Sequence, residues 1–224
     1  MDLQALALTL RLAVVTTALL LAIAVPLAAW IVFTRSRLRA LVEAVSTLPL
    51  LLPPTVLGFY LLVLLGPRTA LGRAWIHLTG HPLAFSFSGL VVGSAIYSLP
   101  FAVQPLVAGF AGVDTALLEQ ARLLGASRLR LLRQVLLPLS TRSVLTAAVL
   151  CFMHTVGEFG VVLMIGGNIP GATRTLSILI YDQVQDFAYA QANRTSLLLV
   201  AVSLAALVLL YSQRRPALGK ARRG

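Results

Sequence analysis

Apolar residues are concentrated in five long runs, which short polar segments separate. A helix needs about 20 apolar residues to cross the bilayer core, which is about 30 Å thick. Each run meets or approaches this length, and an embedded run must be helical because lipid offers no partner to unpaired backbone groups. The five predicted spans are residues 12–33, 45–65, 87–110, 144–165 and 196–211.

These runs predict an all-α fold, a polytopic transmembrane helical bundle that forms one domain over residues 1–224. Residues 181–192 offer a further short helix that dips into the membrane, so the pattern leaves five or six spans open. The first run is longer than the core of a signal peptide, and the chain before it is barely basic. We therefore expect that run to be retained as a span.

The composition excludes a water-soluble domain. Hydrophobic residues make up 58% of the chain, charged residues make up 11%, and the mean hydropathy is +0.92. An ordinary soluble domain has about 45–50% apolar and about 25% charged residues. The one cysteine, Cys151, lies in an apolar run, which excludes a disulfide framework and a multi-cysteine metal site.

The net charge of +11 is distributed unevenly between the two sides of the predicted bundle. Alternating the loops across the membrane places thirteen basic residues on one side and five on the other. The richer side is expected to be cytoplasmic, so the N-terminus is predicted outside and the C-terminus inside. The basic tail is then a lipid-headgroup anchor, and no nucleic-acid partner is needed. The cytoplasmic set comprises Arg35, Arg37, Arg39, Arg122, Arg128, Arg130, Arg133, Arg142, Arg214, Arg215, Lys220, Arg222 and Arg223.

Two of the predicted spans contain residues that are unusual in a membrane helix, namely three prolines in the second and a glutamine in the third. Pro49, Pro53 and Pro54 lie at the start of the second span, and we predict a bent helix there because proline removes a backbone donor. Such breaks are tolerated where helices line a cavity. Gln104 lies in the third span, where it either bonds a neighbouring helix or faces a pathway.

Glu158 is predicted deep inside the fourth span, within Gly157-Glu158-Phe159-Gly160. A carboxylate at this depth is costly and indicates a function. Three roles are open: a proton or cation relay, an anchor held by an arginine or a helix end, and a hinge held by the two glycines. A relay needs several ionisable groups, and only His154 lies one helical turn away, so we favour the hinge or the anchor. His154 is interpreted as a packed histidine rather than a metal ligand.

A polar region follows the fourth span. Residues 166–171 are rich in turn-forming residues and are expected to leave the membrane. Residues 173–192 contain Asp182 and Asp186 and predict an external amphipathic segment. This segment is either a docking surface for a partner protein or a solvated loop.

The long polar interruption at residues 112–142 predicts two short amphipathic helices on the cytoplasmic side. Asp114 is expected to cap the first helix, which Gly125 ends. Ser127 is expected to cap the second helix, which Pro138 stops. The apolar face of the first helix is predicted to contain Leu117, Leu118, Ala121 and Leu124.

This segment resembles the signature of the permease subunits of ABC importers. Glu119-Gln120-Ala121 is followed after three residues by Gly125 and after nine more by Val135, Leu136, Leu137 and Pro138. The family signature has alanine in place of Gln120 and isoleucine in place of Val135, and the spacing agrees throughout. In that family the segment forms coupling helices that dock on an ATPase, so the resemblance implies a MetI-like permease fold.

Other stretches resemble the molybdate branch of these permeases, with sulfate and thiosulfate permeases as near relatives. The stretches are residues 48–58, 98–101, 157–160 and 167–175. The resemblance implies a homodimer of permeases, two cytoplasmic ATPase subunits and an external molybdate-binding protein. It also implies that the chain is not an enzyme and binds no cofactor. The sequence has no Gly-x-x-x-x-Gly-Lys-Ser/Thr loop, so ATP and Mg are expected on the partner ATPase.

Two groups of site residues follow from these arguments, and the cargo has alternatives. Tungstate, sulfate and thiosulfate are alternative cargoes, and an ion-coupled secondary transporter is the alternative class. The ATPase-coupling residues are expected to be Glu119, Gln120, Ala121, Leu124, Gly125, Arg128, Leu137 and Pro138. The pathway or gate residues are expected to be Pro53, Pro54, Gln104, Gly157, Glu158, Phe159, Gly160 and Asn168.

Overall fold

The structure, a computed structural model, describes residues 2–212, and the predicted basic tail anchor lies outside them. The described part is helical and contains no strand, which confirms the all-α prediction. One π-helical turn, Leu132–Leu136, interrupts the α helices. The helices are α1 Leu3–Phe33, α2 Arg39–Leu51, α3 Pro54–Leu64, α4 Ala70–Thr79, α5 Phe87–Ala111, α6 Thr115–Leu123, α7 Arg128–Leu131, α8 Leu137–Leu139, α9 Thr141–Gly157, α10 Gly160–Gly166, α11 Leu176–Gln185 and α12 Tyr189–Ser212.

Helices α1, α5 and α9 form the centre of the bundle. Alanines on the facing sides, such as Ala24, Ala102 and Ala147, let the helix backbones approach closely. Cys151 is buried among them and is a free thiol, so it packs in this core as a small apolar side chain. The buried residues of this core are Leu20, Ala24, Ala28, Ile31, Ala102, Val103, Leu106, Phe110, Leu136, Ala147 and Cys151.

Two of the predicted spans were too short, because the helices begin earlier in the sequence than expected. Helix α1 begins at Leu3 rather than at residue 12, because the Asp2 carboxylate accepts hydrogen bonds from the backbone N–H groups of Gln4 and Ala5. Its 31 residues are about 46 Å long at 1.5 Å per residue, which exceeds the bilayer core. Helix α12 begins at Tyr189, seven residues before the predicted start at residue 196.

The predicted span 45–65 is not one helix. Helices α2 and α3 meet at a bend of 113°. Leu52 and Pro53 adopt extended backbone conformations, because Pro53 and Pro54 cannot donate hydrogen bonds and each restricts the residue before it. The bend confirms the expected effect of this proline pair, whereas Pro49 lies within α2 without breaking it.

The predicted span 144–165 is also broken. Helix α9 ends at Gly157, and α10 starts at Gly160 after two residues outside the helices. In the described residues, three helices are long and apolar enough to cross a membrane, or up to five if two bent helix pairs each count as one span. The prediction of five spans therefore agrees only with the upper count.

The predicted external segment at 173–192 is not a solvated loop. It contains α11, in which Leu176, Ile178 and Leu179 are buried. The hydroxyl of Thr9 on α1 accepts a hydrogen bond from the backbone N–H of Leu176 at 2.9 Å. One face of α11 thus belongs to the bundle, while Tyr181 is 44% exposed on the segment.

Gly89 provides a direct test of the packing near the start of α5. A Cβ atom at this position would overlap the backbone carbonyl oxygen of Leu83, which cannot move without shifting the chain. We expect Gly89→Ala to lower the free energy of unfolding by about 1–3 kcal/mol through overpacking. Gly112→Ala is the control, because its Cβ would lie 3.5 Å from the nearest atom. Thermal unfolding of the purified full chain in detergent measures both, and equal stability of the two variants would contradict the packing.

Candidate coupling segment and translocation pathway

Short-range capping builds the candidate coupling segment, residues 112–142, which we call the coupling segment after its predicted role. The Asp114 carboxylate accepts a hydrogen bond from the backbone N–H of Ala116 at 2.9 Å. The Ser127 hydroxyl accepts one from the backbone N–H of Arg130 at 3.3 Å. Gly125 separates the two helices with φ of +81°, a conformation that favours glycine. These local features confirm the predicted caps and the predicted turn.

Pro138 does not stop the second helix, contrary to the prediction. The helical stretch continues from α7 through the π turn Leu132–Leu136 into α8, and it ends at Leu139 with Ser140 as the C-cap. Pro138 lies in the first turn of α8, where a missing N–H is tolerated. The actual break follows Leu139, where the helical stretch from Arg128 bends by 81° into α9.

The apolar face predicted for α6 is divided. Leu118 is buried, with 5% of its surface exposed, whereas Leu124 is 87% exposed because α6 has ended at Leu123. Leu123 is itself 88% exposed. Large apolar side chains exposed at one end of a polar segment are typical of an interaction surface. Of the expected coupling residues, Glu119, Gln120, Leu124, Gly125, Arg128 and Pro138 are exposed, whereas Ala121 and Leu137 are half-buried.

The break between α9 and α10 borders a cavity of about 510 Å³. The wall includes Pro54 from α3 and His154 from α9. Gly160 lies so close to α3 that a Cβ there would be 2.6 Å from the Pro54 Cβ. The cavity thus brings together five of the expected pathway residues, namely Pro54, Gly157, Glu158, Phe159 and Gly160.

Three other expected pathway residues do not line this cavity. Pro53 lies in the bend before α3. The Gln104 amide donates a hydrogen bond to the Thr47 hydroxyl at 2.7 Å, which ties α5 to α2 and favours the packing role. Asn168 donates to the Asp182 carboxylate at 2.7 and 2.8 Å and accepts from Arg174 Nε at 2.6 Å. That polar cluster joins the loop after α10 to α11.

Glu158 lies in the wall of the cavity, and its carboxyl group is buried, since the residue is only 4% exposed. Neither of its oxygen atoms has a hydrogen-bond partner among residues 2–212. The Ser94 hydroxyl on α5 lies close enough to interact with this carboxyl group, although the two groups do not form a well-aligned hydrogen bond. The one ion pair of the described part joins Arg174 to Asp182, so no arginine anchors Glu158 there.

His154 is held by α5, as a packed histidine would be. Its Nδ1 lies 2.9 Å from the Ser98 hydroxyl, and its ring stacks on Phe101 with 4.1 Å between ring centroids. Tyr97 contacts the ring from another side at 4.9 Å and also lines the cavity. Sequence reasoning did not single out Tyr97, because its partner lies 57 residues further along the chain. The described residues contain no group of three or more side chains that could hold a metal ion.

Comparison with known proteins places this geometry in a family. The profile of the binding-protein-dependent transport system inner membrane component matches residues 8–218. The chain belongs to this family. The permease is 50% identical over 214 residues to the molybdenum transport system permease protein ModB of Azotobacter vinelandii. The aligned region covers 96% of this chain and 95% of that protein. It is 35% identical over 186 residues to ModB of Escherichia coli, covering 83% of this chain and 81% of that protein.

More distant relatives extend the comparison. The sulfate transport system permease protein CysT of Salmonella typhimurium is 32% identical over 188 residues, covering 83% of the permease and 66% of CysT. The permease is similar in structure to a chain in the crystal structure of a bacterial alginate ABC transporter, in complex with an alginate pentasaccharide-bound periplasmic protein. The match covers 95% of the permease and 78% of the transporter chain. The TM-score is 0.75 and the identity is 18%, which supports the ABC importer permease fold. These relatives are transport components rather than enzymes, and the ion-coupled alternative has no support among them.

Proposed function

We propose that this permease is the membrane-spanning subunit of an ATP-driven importer that carries molybdate across the cytoplasmic membrane. The observation that carries the proposal is the 50% identity to a molybdenum transport permease over 96% of the chain. Tungstate, sulfate and thiosulfate are the competing cargoes, and the lower identity of 32% to CysT favours molybdate over sulfate.

The working assembly contains two copies of the permease, two cytoplasmic ATPase subunits and an external molybdate-binding protein. The N-terminus is outside and the C-terminus is cytoplasmic, as the distribution of basic residues indicates. ATP and Mg bind the ATPase subunits, because this chain lacks a phosphate-binding loop. Specificity resides largely in the binding protein, so the permease needs only a transient passage for the anion.

The coupling segment docks on the ATPase through the exposed end of α6. Leu123 and Leu124 provide apolar contact area, and Glu119 and Arg128 provide charged contacts beside them. Movement of this surface is transmitted to α9 because α7, the π turn and α8 form one helical stretch that leads into it. A rigid connection of this kind lets a small shift at the ATPase move a membrane helix.

The gate is formed where α9 ends. Gly157 and Gly160 flank the two residues outside the helices, and the Pro54 side chain of α3 packs against Gly160. A displacement of α9 therefore changes the break at Glu158 and its contact with the bent α2–α3 pair. Glu158 serves as part of this hinge and not as one member of a proton relay.

Leu124→Arg tests the docking surface. We expect the affinity for the ATPase partner to fall by about tenfold or more, because a central apolar contact is replaced by a charge. The permease itself should remain folded, since Leu124 is 87% exposed. The matched control is Leu78→Arg on α4, where the leucine is 83% exposed but lies outside the coupling segment. Co-purification with the ATPase measures both, and an equal effect of the two variants would contradict the docking site.

Glu158→Ala tests the gate. We expect the maximal rate of transport to fall by about tenfold, with the half-saturating anion concentration changed by less than about twofold, because the residue affects coupling and not anion affinity. Glu158→Gln keeps the volume and removes the charge, so it separates packing from charge. Normal transport and normal thermal stability of Glu158→Ala would exclude a gating role.

Uptake of labelled molybdate tests the cargo. Cells that lack their own molybdate permease should recover uptake when they express this chain with its ATPase and binding protein. A tenfold excess of sulfate should leave uptake unchanged, whereas unlabelled molybdate should abolish it. Competition by sulfate, or restored sulfate uptake alone, would reject molybdate and keep the importer.

A further inference from the structure

A second cavity, of about 730 Å³, lies between the end of α1 and the coupling segment. Trp30 and Phe33 of α1 form one wall, and Leu129 and Leu132 form part of the other. We call this cavity the basic groove, because Arg35, Arg122 and Arg128 also line it. We propose that the basic groove binds an anionic phospholipid, with its phosphate at the arginines and an acyl chain along the apolar wall.

The charges of the basic groove lack a protein partner in the described chain. Arg35, Arg122 and Arg128 are all exposed, and none forms an ion pair or a side-chain hydrogen bond with any residue from 2 to 212. No acidic side chain lines the groove. Guanidinium groups match phosphate oxygens in geometry and charge, and three of them concentrated at one rim favour a phosphate-bearing ligand.

The position of the basic groove favours a lipid over a soluble anion. Arg35 follows the end of the membrane-spanning helix α1 at Phe33 by two residues. Trp30, which is 39% exposed, lies one turn earlier, as aromatic residues do at the membrane–water interface. The arginines are therefore at headgroup level, and the wall below them faces the acyl chains. A soluble phosphate would gain nothing from that apolar wall, whereas basic pockets at helix ends suit anionic headgroups.

Two protein occupants fit the basic groove less well. The C-terminal tail, residues 213–224, carries five basic residues and no acidic residue, so its charge opposes binding beside three arginines. The ATPase is proposed to meet Leu123 and Leu124, which are 88% and 87% exposed and do not line the groove, and of its proposed contacts only Arg128 borders it. A lipid that contacts both α1 and the coupling segment would couple their relative position to the anionic lipid content of the membrane. This regulatory consequence, unlike the lipid site itself, depends on the proposed function.

The test measures phospholipid retained by the full-length permease, purified with its ATPase partner in a mixture of phosphatidylglycerol and phosphatidylcholine, by native mass spectrometry. The variant is Arg35→Gln with Arg122→Gln, and the matched control is Arg37→Gln with Arg133→Gln. The control removes two exposed arginines from the same two regions but outside the groove lining. The variant removes two arginines that are proposed to contact the bound headgroup, so it should lose about thirtyfold of phosphatidylglycerol retention, whereas the control arginines lie outside the groove and should have little effect.

The wild type and the control should both retain phosphatidylglycerol in preference to phosphatidylcholine. Equal retention by the variant and the control would overturn the proposal, as would displacement of the lipid by millimolar inorganic phosphate. If the double variant does not fold, Arg35→Gln alone should lose retention about fivefold, since it removes one charge. The readout needs neither ATP nor molybdate, so a failure of molybdate uptake leaves it unaffected.

Discussion

Lipid offers no hydrogen-bond partner, so a helix can be interrupted inside a membrane only where the protein surrounds the interruption. Two interruptions lie side by side here: the bend between α2 and α3, and the two-residue break between α9 and α10. Gly160 lets Pro54 approach closely, and a Cβ at Gly58 would be only 2.7 Å from the Met164 Cβ. Close packing of the half-helices α3 and α10 is therefore the condition for the cavity at Glu158.

The rest of the permease links this cavity to the proposed docking surface for the ATPase. Helix α9 runs from the break at Glu158 to Thr141, where an 81° bend joins it to the helical stretch of the coupling segment. Helix α9 also packs against α5, where the Ser98 hydroxyl lies within hydrogen-bond distance of His154. The helical stretch from Arg128 to Leu139 and helix α9 thus lie in sequence between the proposed docking surface and the proposed gate.

Local chemistry explains what the sequence could predict. The Pro53-Pro54 bend and the caps at Asp114 and Ser127 depend on neighbouring residues, and each prediction was confirmed. The Gly125 turn likewise follows from a backbone conformation that glycine favours. The family signature around Gly125 indicated the class of protein, because its spacing is characteristic of a segment with one function.

Tertiary contacts explain what the sequence could not predict. The partner of Gln104 is Thr47, which is 57 residues away, so the choice between packing and pathway required the fold. Pro138 was expected to end a helix, but a π turn changed the helical register before it. The unpaired carboxyl group of Glu158 also depends on which side chains α3 and α5 place around it.

The most direct test of the account is ATP hydrolysis by the permease and its ATPase partner in liposomes, with the binding protein added outside. Binding protein loaded with molybdate should stimulate hydrolysis, and the same protein supplied with sulfate should not. No stimulation by molybdate, from an ATPase that is shown to be bound to the permease, would contradict the proposal that this chain couples molybdate import to ATP.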